Sequence, residues 1–332
     1  MMLTVLVLSM GTALVTTPYV RRLAQTVGML DESGERRMHD TPKPRIGGIA
    51  VYFGFAFALF AALGYLFNTH QLNDIGKVHD VVQNVVGLIF GGTLILMIGI
   101  WDDVMGMSPR VKLFAQILVA SISMSYGFLI EFVRNPFHHG DVIYLPLWLS
   151  IVITLTWYVG MMNAINFIDG LDGLLSGLTA IAGTFLLVIN LSQGHPEISL
   201  ILAALVGGSL GFLPYNYNPA KIILGDSGAL FIGYVFATVS ILGASKVAFT
   251  ISLLVPLIVL GLPVLDTLAA IVRRTRAGKK IYEADRGHFH HQLIFRFGLN
   301  VRQAVLLIYA LCFALGLVAL YLSGGVGALK LA

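Results

Sequence analysis

The chain has 332 residues, of which 57% are hydrophobic and only 11% charged, and its mean hydropathy is +0.85. Soluble domains carry about 25% charged residues, so a soluble globular fold is excluded and an integral membrane protein is expected. The formal charge of +4 is small and no nucleic-acid partner is expected; the single cysteine, Cys312, lies in an apolar run and rules out a disulfide framework.

About 20 apolar residues cross a bilayer as a helix. In chain order, ten such segments are expected: 2–19, 46–67, 81–100, 111–131, 146–162, 174–192, 197–214, 229–245, 248–272 and 304–323. The first has no basic residue before it and Arg21-Arg22 after it, which fits a first span rather than a leader. Alternate crossings put the connections 20–45, 101–112, 163–173, 215–228 and 273–303 on one side. All Lys and Arg residues fall there except Lys77, Arg134, Lys246 and Lys330. Positive residues favour the cytoplasmic side. The expected fold is therefore an all-α polytopic bundle of about ten spans forming one domain over 1–332, with both termini outside.

Each polar cluster of interest falls in one of those five connections. Asp102-Asp103 follows the third span. Adjacent carboxylates repel, and Mg²⁺, which prefers carboxylate and phosphate oxygens, relieves that repulsion. Lys112 and Gln116 lie four apart on one helix face, where a lysine meets an anionic head group. Asn163, Asn166, Asp169 and Asp172 recur every three residues. On a continuous helix such a row drifts by about 60° per step, so a break is expected, and Gly170 and Gly173 favour one.

Asn216 and Asn218 precede Gly225-Asp226-Ser227-Gly228, where Asp226 is a candidate metal ligand and the glycines let backbone N–H groups approach a phosphate. Beyond Arg273, Arg274, Arg276, Lys279, Lys280 and Arg286 come His288, His290 and His291. Cations and histidine donors suit a diphosphate, and a zinc site lacks the usual cysteines. A charge near the bilayer centre costs roughly 2.5–3.5 kcal/mol on insertion scales, so acids in such segments are usually functional. Together the clusters describe a cytoplasmic-face, metal-dependent site for a nucleotide diphosphate beside the lipid.

With these residues the sequence resembles the polyprenyl-phosphate N-acetylhexosamine-1-phosphate transferases. The matching pieces begin with Arg37-x-His39 and Pro42-x-Pro44-Arg45-x-Gly47-Gly48, then Asp102-Asp103 and Lys112-x-x-x-Gln116. They continue with Asn163-x-x-Asn166-x-x-Asp169-Gly170-x-Asp172-Gly173, and with Phe212-Leu213-x-x-Asn216 leading to Gly225-Asp226-Ser227-Gly228. The last is Asp285-x-x-His288-x-His290-His291-x-Leu293. The set runs in the family's order and covers roughly 36–303.

The resemblance implies transfer of a sugar-1-phosphate from a UDP-sugar to a polyprenyl phosphate, with release of UMP. The cofactor would be Mg²⁺, or Mn²⁺ in its place, the setting the bacterial inner membrane, and a homodimer is compatible. It implies a metal held by Asp226 with Asn166. Lys112 would guide the lipid phosphate, and Asp102 or Asp103 would orient or deprotonate it. Arg286, His288, His290 and His291 would face the diphosphate or sugar, with Asn163, Asp169 and Asp172 around the nucleoside and Asn216 beside them. The 285–293 pattern resembles the UDP-N-acetylglucosamine branch, which starts O-antigen, common-antigen or teichoic acid synthesis. In the UDP-N-acetylmuramoyl-pentapeptide branch three consecutive histidines follow a proline; Phe289 interrupts such a run. Two features depart from the branch: Phe289 stands where Ile or Leu is usual, and an eleventh span often present there is not seen.

A transporter would scatter its acids over depth and side, whereas these collect on one face. A CDP-alcohol phosphatidyltransferase would need an Asp-Gly…Ala-Arg…Asp motif within one hairpin, which the sequence lacks.

Overall fold

The computed structural model describes residues 1–31, 42–69, 75–134, 142–246, 261–276, 278 and 289–324. Apart from two short hairpins and the connecting turns these residues are helical. The helices are α1 (Met2–Val27), α2 (Gly48–Asn68), α3 (Ile75–Met105), α4 (Pro109–Ser125), α5 (Leu147–Ile168), α6 (Leu174–Ser192), α7 (Pro196–Asn216), α8 (Gly225–Lys246), α9 (Gly261–Arg276), α10 (Phe289–Phe295) and α11 (Val301–Leu322). The antiparallel hairpins pair β1 (Leu30–Asp31) with β2 (Lys43–Pro44), and β3 (Phe132–Arg134) with β4 (Val142–Tyr144).

Eight of the described helices, α1, α2, α3, α5, α6, α7, α8 and α11, are long and apolar enough to cross a membrane. The expected span 111–131 shortens to α4, because the helix stops at Ser125 and the chain turns toward β3. The expected span 248–272 lies largely outside the described residues; its end falls in α9. The other expected spans coincide with helices to within a few residues, except that α1 runs on to Val27, α3 extends over Ile75–Met105 and α5 runs on to Ile168.

The bundle is built around α8, whose apolar window is 94% buried, against 28% for α1. It packs on α2, α3 and α5, while α1, α2, α6 and α7 form a second layer. In lipid no water drives helices together, so close backbone approach and interhelical hydrogen bonds matter most. Small residues provide the first. A Cβ on Gly211 of α7 would run into Met10 O of α1. Polar pairs provide the second: Ser9 Oγ donates to Ala204 O at 2.6 Å, and the hydroxyls of Tyr158 and Thr238 meet at 2.9 Å between α5 and α8. The outward faces of α1 and α11 carry exposed Leu3, Val7, Leu306 and Val318, as lipid-facing helices do.

Candidate active site

The polar clusters, far apart in sequence, meet at one end of the bundle. Local punctuation brings each there. Asp102 and Asp103 occupy the last turn of α3, which ends at Gly106 with φ +69°. Ser108-Pro109 then starts α4, with Ser108 Oγ accepting from Val111 N. The tight reversal is held by Asp102 Oδ1, which accepts from Met107 N at 2.7 Å. It returns Lys112 over Asp102, with Nζ 2.8 Å from Oδ2.

Helix α5 runs through Ile168, so Asn163 and Asn166 lie on its last turns while Asp169 caps it. The chain then turns at 170–173, with Gly173 at φ +80° before α6. The break falls between the asparagines and the aspartates of the three-residue row. Asn163 Nδ2 donates to Gln116 Oε1 at 2.8 Å. Asn166 Nδ2 donates to Asp226 Oδ1, and Asn166 Oδ1 accepts from Lys112 Nζ at 3.3 Å. Asn166 thus turns its nitrogen, not its oxygen, toward Asp226.

Asp226 sits in the first turn of α8. Its N–H and that of Ser227 donate to Asp103 Oδ1 and Oδ2 at 2.8 and 3.0 Å. Asp103 therefore caps α8 from another helix, where a carboxylate also meets the positive end of the helix dipole. Its side chain is fully buried. The approach of α3 and α2 to this helix start requires glycine: a Cβ on Gly99 would run into Ser227, and one on Gly48 into Gly228 N.

The segment 42–48 completes the wall. Ile223 N donates to Pro44 O, Gly47 N to Ile223 O and Gly48 N to Leu224 O. This pairing delivers Arg45, whose Nε lies 2.9 Å from Asp103 Oδ1 and whose Nη2 lies 3.3 Å from Asp226 Oδ2. It also delivers Lys43, which pairs with Asp172 Oδ2 at 2.9 Å. That same oxygen accepts from Asn218 Nδ2 and Ala220 N. Asn216 is buried, accepting from Ser176 Oγ and donating to Ile222 O. Tyr309 of α11 donates its hydroxyl to Gly173 O.

Lys43 and Arg45 are the site residues that the sequence reading left without a role, although both stand within its Pro-x-Pro-Arg-x-Gly-Gly stretch. The signal was their placement among glycines and prolines on the basic side of the membrane.

Asp102, Asp103, Lys112, Asn166 and Asp226 form one connected set, while Asn163 pairs beside it with Gln116 of α4. Asp172 and Asn216 hold the neighbouring loops. The backbone N–H of Asp169 donates to Asn166 O at 3.3 Å, but its carboxylate makes no hydrogen bond to the described residues, and the residue is partly exposed. Withdrawal from bulk water pushes its carboxyl up to about 8, with repulsion from Asp226 and Asp103 adding to the rise. On the histidine side, Phe289 N donates to Asp266 Oδ1 at 3.0 Å, tying α10 to α9. Arg274, at the end of α9, lies 5.7 Å from the ring centroid of Phe167, next to Asn166. His290 and His291 lie on α10, but their side chains, and Arg286 and His288 altogether, fall outside the described residues.

Among the described residues no three His, Cys, Asp or Glu side chains form a ready metal cage. Mg²⁺ does not require one, since it takes one or two carboxylates together with substrate phosphates and water. The donors present fit that need. Asp226 and Asp169 offer hard carboxylate oxygens, and repulsion from Asp226 and Asp103 opposes the charge on Asp169.

Comparison with known proteins agrees with the geometry. The profile of glycosyl transferase family 4 matches residues 85–244. A Bacillus subtilis (strain 168) protein described as "Probable undecaprenyl-phosphate N-acetylglucosaminyl 1-phosphate transferase" is 35% identical, over 95% of this chain and 83% of its own. The decaprenyl-phosphate N-acetylglucosaminephosphotransferase of Mycolicibacterium smegmatis is 36% identical, over 88% and 75% respectively. The phospho-N-acetylmuramoyl-pentapeptide-transferase of Desulforamulus reducens is 31% identical, over 92% and 90%.

Proposed function

The chain belongs to the polyprenyl-phosphate N-acetylhexosamine-1-phosphate transferase family, and on that premise we propose that it moves N-acetylglucosamine-1-phosphate from UDP-N-acetylglucosamine to undecaprenyl phosphate. A phosphate oxygen of the lipid attacks the sugar-side phosphorus, the phosphoanhydride bond to UMP breaks, and UMP leaves. One phosphoanhydride replaces another, so the reaction is close to isoenergetic and reversible.

The observation that carries this reading is the contact of Asp102, Lys112, Asn166 and Asp226 at one end of the bundle. Phosphoryl transfer needs neutralised oxygens and an aligned nucleophile. Asp226, with Asp169, would hold Mg²⁺, which supplies charge neutralisation to the diphosphate, while Asn166, whose nitrogen faces Asp226, would steady that carboxylate. Lys112 projects from the first turn of α4, next to the exposed apolar residues Val111, Leu113 and Phe114. It is placed to draw a lipid phosphate in from the bilayer. Asp102 holds Lys112 there and orients that phosphate or takes a proton from it. Asp103 and Asp172 act through position: one fixes the start of α8, the other the 217–224 loop. Arg286, His288, His290 and His291 would close over the diphosphate and sugar, with Asn163 and Asp169 near the nucleoside.

The relatives named for N-acetylglucosamine share 35–36% identity with this chain, against 31% for the pentapeptide transferase. The 285–293 pattern points the same way. The product would be the first lipid-linked sugar of a cell-envelope polysaccharide, made in the bacterial plasma membrane. The Lys and Arg bias supports about ten spans, both termini outside and the site on the cytoplasmic face.

The test is to incubate purified protein with undecaprenyl phosphate, Mg²⁺ and a panel of UDP-sugars, and to measure UMP. UDP-N-acetylglucosamine should be used far better than UDP-N-acetylmuramoyl-pentapeptide, and a chelator should stop the reaction until Mg²⁺ or Mn²⁺ is restored. Preference for the pentapeptide donor would overturn the sugar assignment and leave the reaction class standing. For sidedness, a cysteine at the exposed position Lys221 should label only from the cytoplasm.

A further inference from the structure

Asp226 offers one oxygen to two protein cations. Its Oδ2 lies 3.3 Å from Arg45 Nη2 and 3.4 Å from Lys112 Nζ. The two cations are held differently. Lys112 has a nearer partner in Asp102 at 2.8 Å and rides on a flexible stem. Arg45 is pinned through Nε to Asp103 at 2.9 Å. Asp103 is itself fixed by two backbone N–H groups of α8, and the backbone beside Arg45 is fixed by the bond from Ile223 N to Pro44 O. The guanidinium is therefore anchored at one end and reaches Asp226 with the other.

Two properties of this arrangement matter. A guanidinium keeps its charge at any accessible pH, so it opposes a second cation arriving at the same carboxylate. The Arg45 side chain is also 28% exposed, while Asp103 behind it is fully buried, so part of Arg45 is within reach of solvent. A planar guanidinium fork pairs well with phosphate oxygens. A diphosphate can thus give Arg45 an alternative partner to Asp226.

Resting on the reading above that Asp226 takes a divalent cation, we infer that Arg45 couples cation binding to nucleotide binding. Without nucleotide it competes with the cation for Asp226. A nucleoside diphosphate draws its Nη atoms away, and the cation then binds tightly. Arg45 is a positioning residue in this scheme, and by linkage the cation must tighten the nucleotide by the same factor.

The experiment measures Mn²⁺ binding to the full chain in detergent, read from the electron paramagnetic resonance signal of free Mn²⁺, with and without UDP. For the parent protein UDP should tighten Mn²⁺ binding at least about fivefold, after allowance for metal held by free UDP. Arg45→Gln should bind Mn²⁺ alone at least about fivefold more tightly than the parent, and the tightening that UDP adds should then be smaller than the parent's by about the same factor. Arg45→Lys keeps the charge without the fork; it should stay weak without UDP and show reduced coupling, which maintains the test if the Gln variant does not fold.

A merely structural Arg45 predicts weaker Mn²⁺ binding in both conditions for the Gln variant, and that result overturns the inference. So does an absence of UDP coupling in the parent. If the parent binds Mn²⁺ and Asp226→Asn abolishes it, but Arg45→Gln changes nothing, only the coupling role fails. If no protein binds Mn²⁺ even with UDP, the metal assignment of Asp226 fails together with it.

Discussion

Asp103 and Asp172 lie in the wall of the polar end, Asp169 and Asp226 at its mouth, and the two regions treat the same side chain in opposite ways. In the wall, backbone N–H groups engage the carboxylate oxygens: Asp226 N and Ser227 N on Asp103, Ala220 N on Asp172. At the mouth, Asp226 is met only by side chains, Arg45, Lys112 and Asn166, and Asp169 has no such partner among the described residues. Backbone donors are fixed by the fold, whereas side-chain donors can change partners. An acid held by backbone therefore shapes the site, and an acid held by side chains remains available to a ligand.

The strongest way to break this contrast is at Asp226. Asp226→Asn should lower turnover by about 10³-fold or more, roughly 4 kcal/mol of transition-state stabilisation, while the protein still inserts and purifies. Turnover within a few-fold of the parent would sink the distinction. Asp103→Ala should act on stability instead. It leaves Arg45 and the start of α8 without their buried partner, and breaking such a pair costs about 3–5 kcal/mol. Thermal melting in detergent should show it well below Asp226→Asn.

The glycine contacts of the wall give a smaller effect. Gly99→Ala forces a Cβ into Ser227 and should cost about 1–3 kcal/mol, read in the same melts. At Asp172, asparagine still accepts from Ala220 N and loses the charge opposite Lys43, so Asp172→Asn should cost about 1 kcal/mol and leave sugar choice unchanged.

The finest test is pH. Asp169 is raised from its ordinary range to about 8, so the folded chain holds a proton there that the unfolded chain has lost. The resulting penalty on stability is absent below about pH 4, where both forms are protonated, grows as pH rises, and is complete above about pH 8. Asp169→Asn should flatten that part of the stability profile. A cation entering beside Asp169 should expel the proton, so titrating Mg²⁺ into weakly buffered protein should release acid at pH 7 and much less at pH 9. Equal release at both values would show that Asp169 does not face the cation.

Much of this was legible in the chain itself. Apolar runs of bilayer length fix helices because a backbone in hydrocarbon must satisfy its own hydrogen bonds. The polar residues at their ends carry the chemistry, since burying charge elsewhere costs too much. Even the break in the Asn-x-x-Asn-x-x-Asp-x-x-Asp row follows from helix period and glycine. What sequence could not assign was the division of labour among the acids. Asp102 and Asp103 are neighbours, yet one meets Lys112 and the other caps α8, because adjacent residues on a helix point about 100° apart. Lys43 and Arg45 show the same limit: the pairing of 44–48 with 223–224 carries them to Asp172, Asp103 and Asp226. Local pattern sets which residues reach the membrane end, but partners are chosen by long-range packing, and there the tertiary structure alone decided which carboxylates are filled and which face the open site.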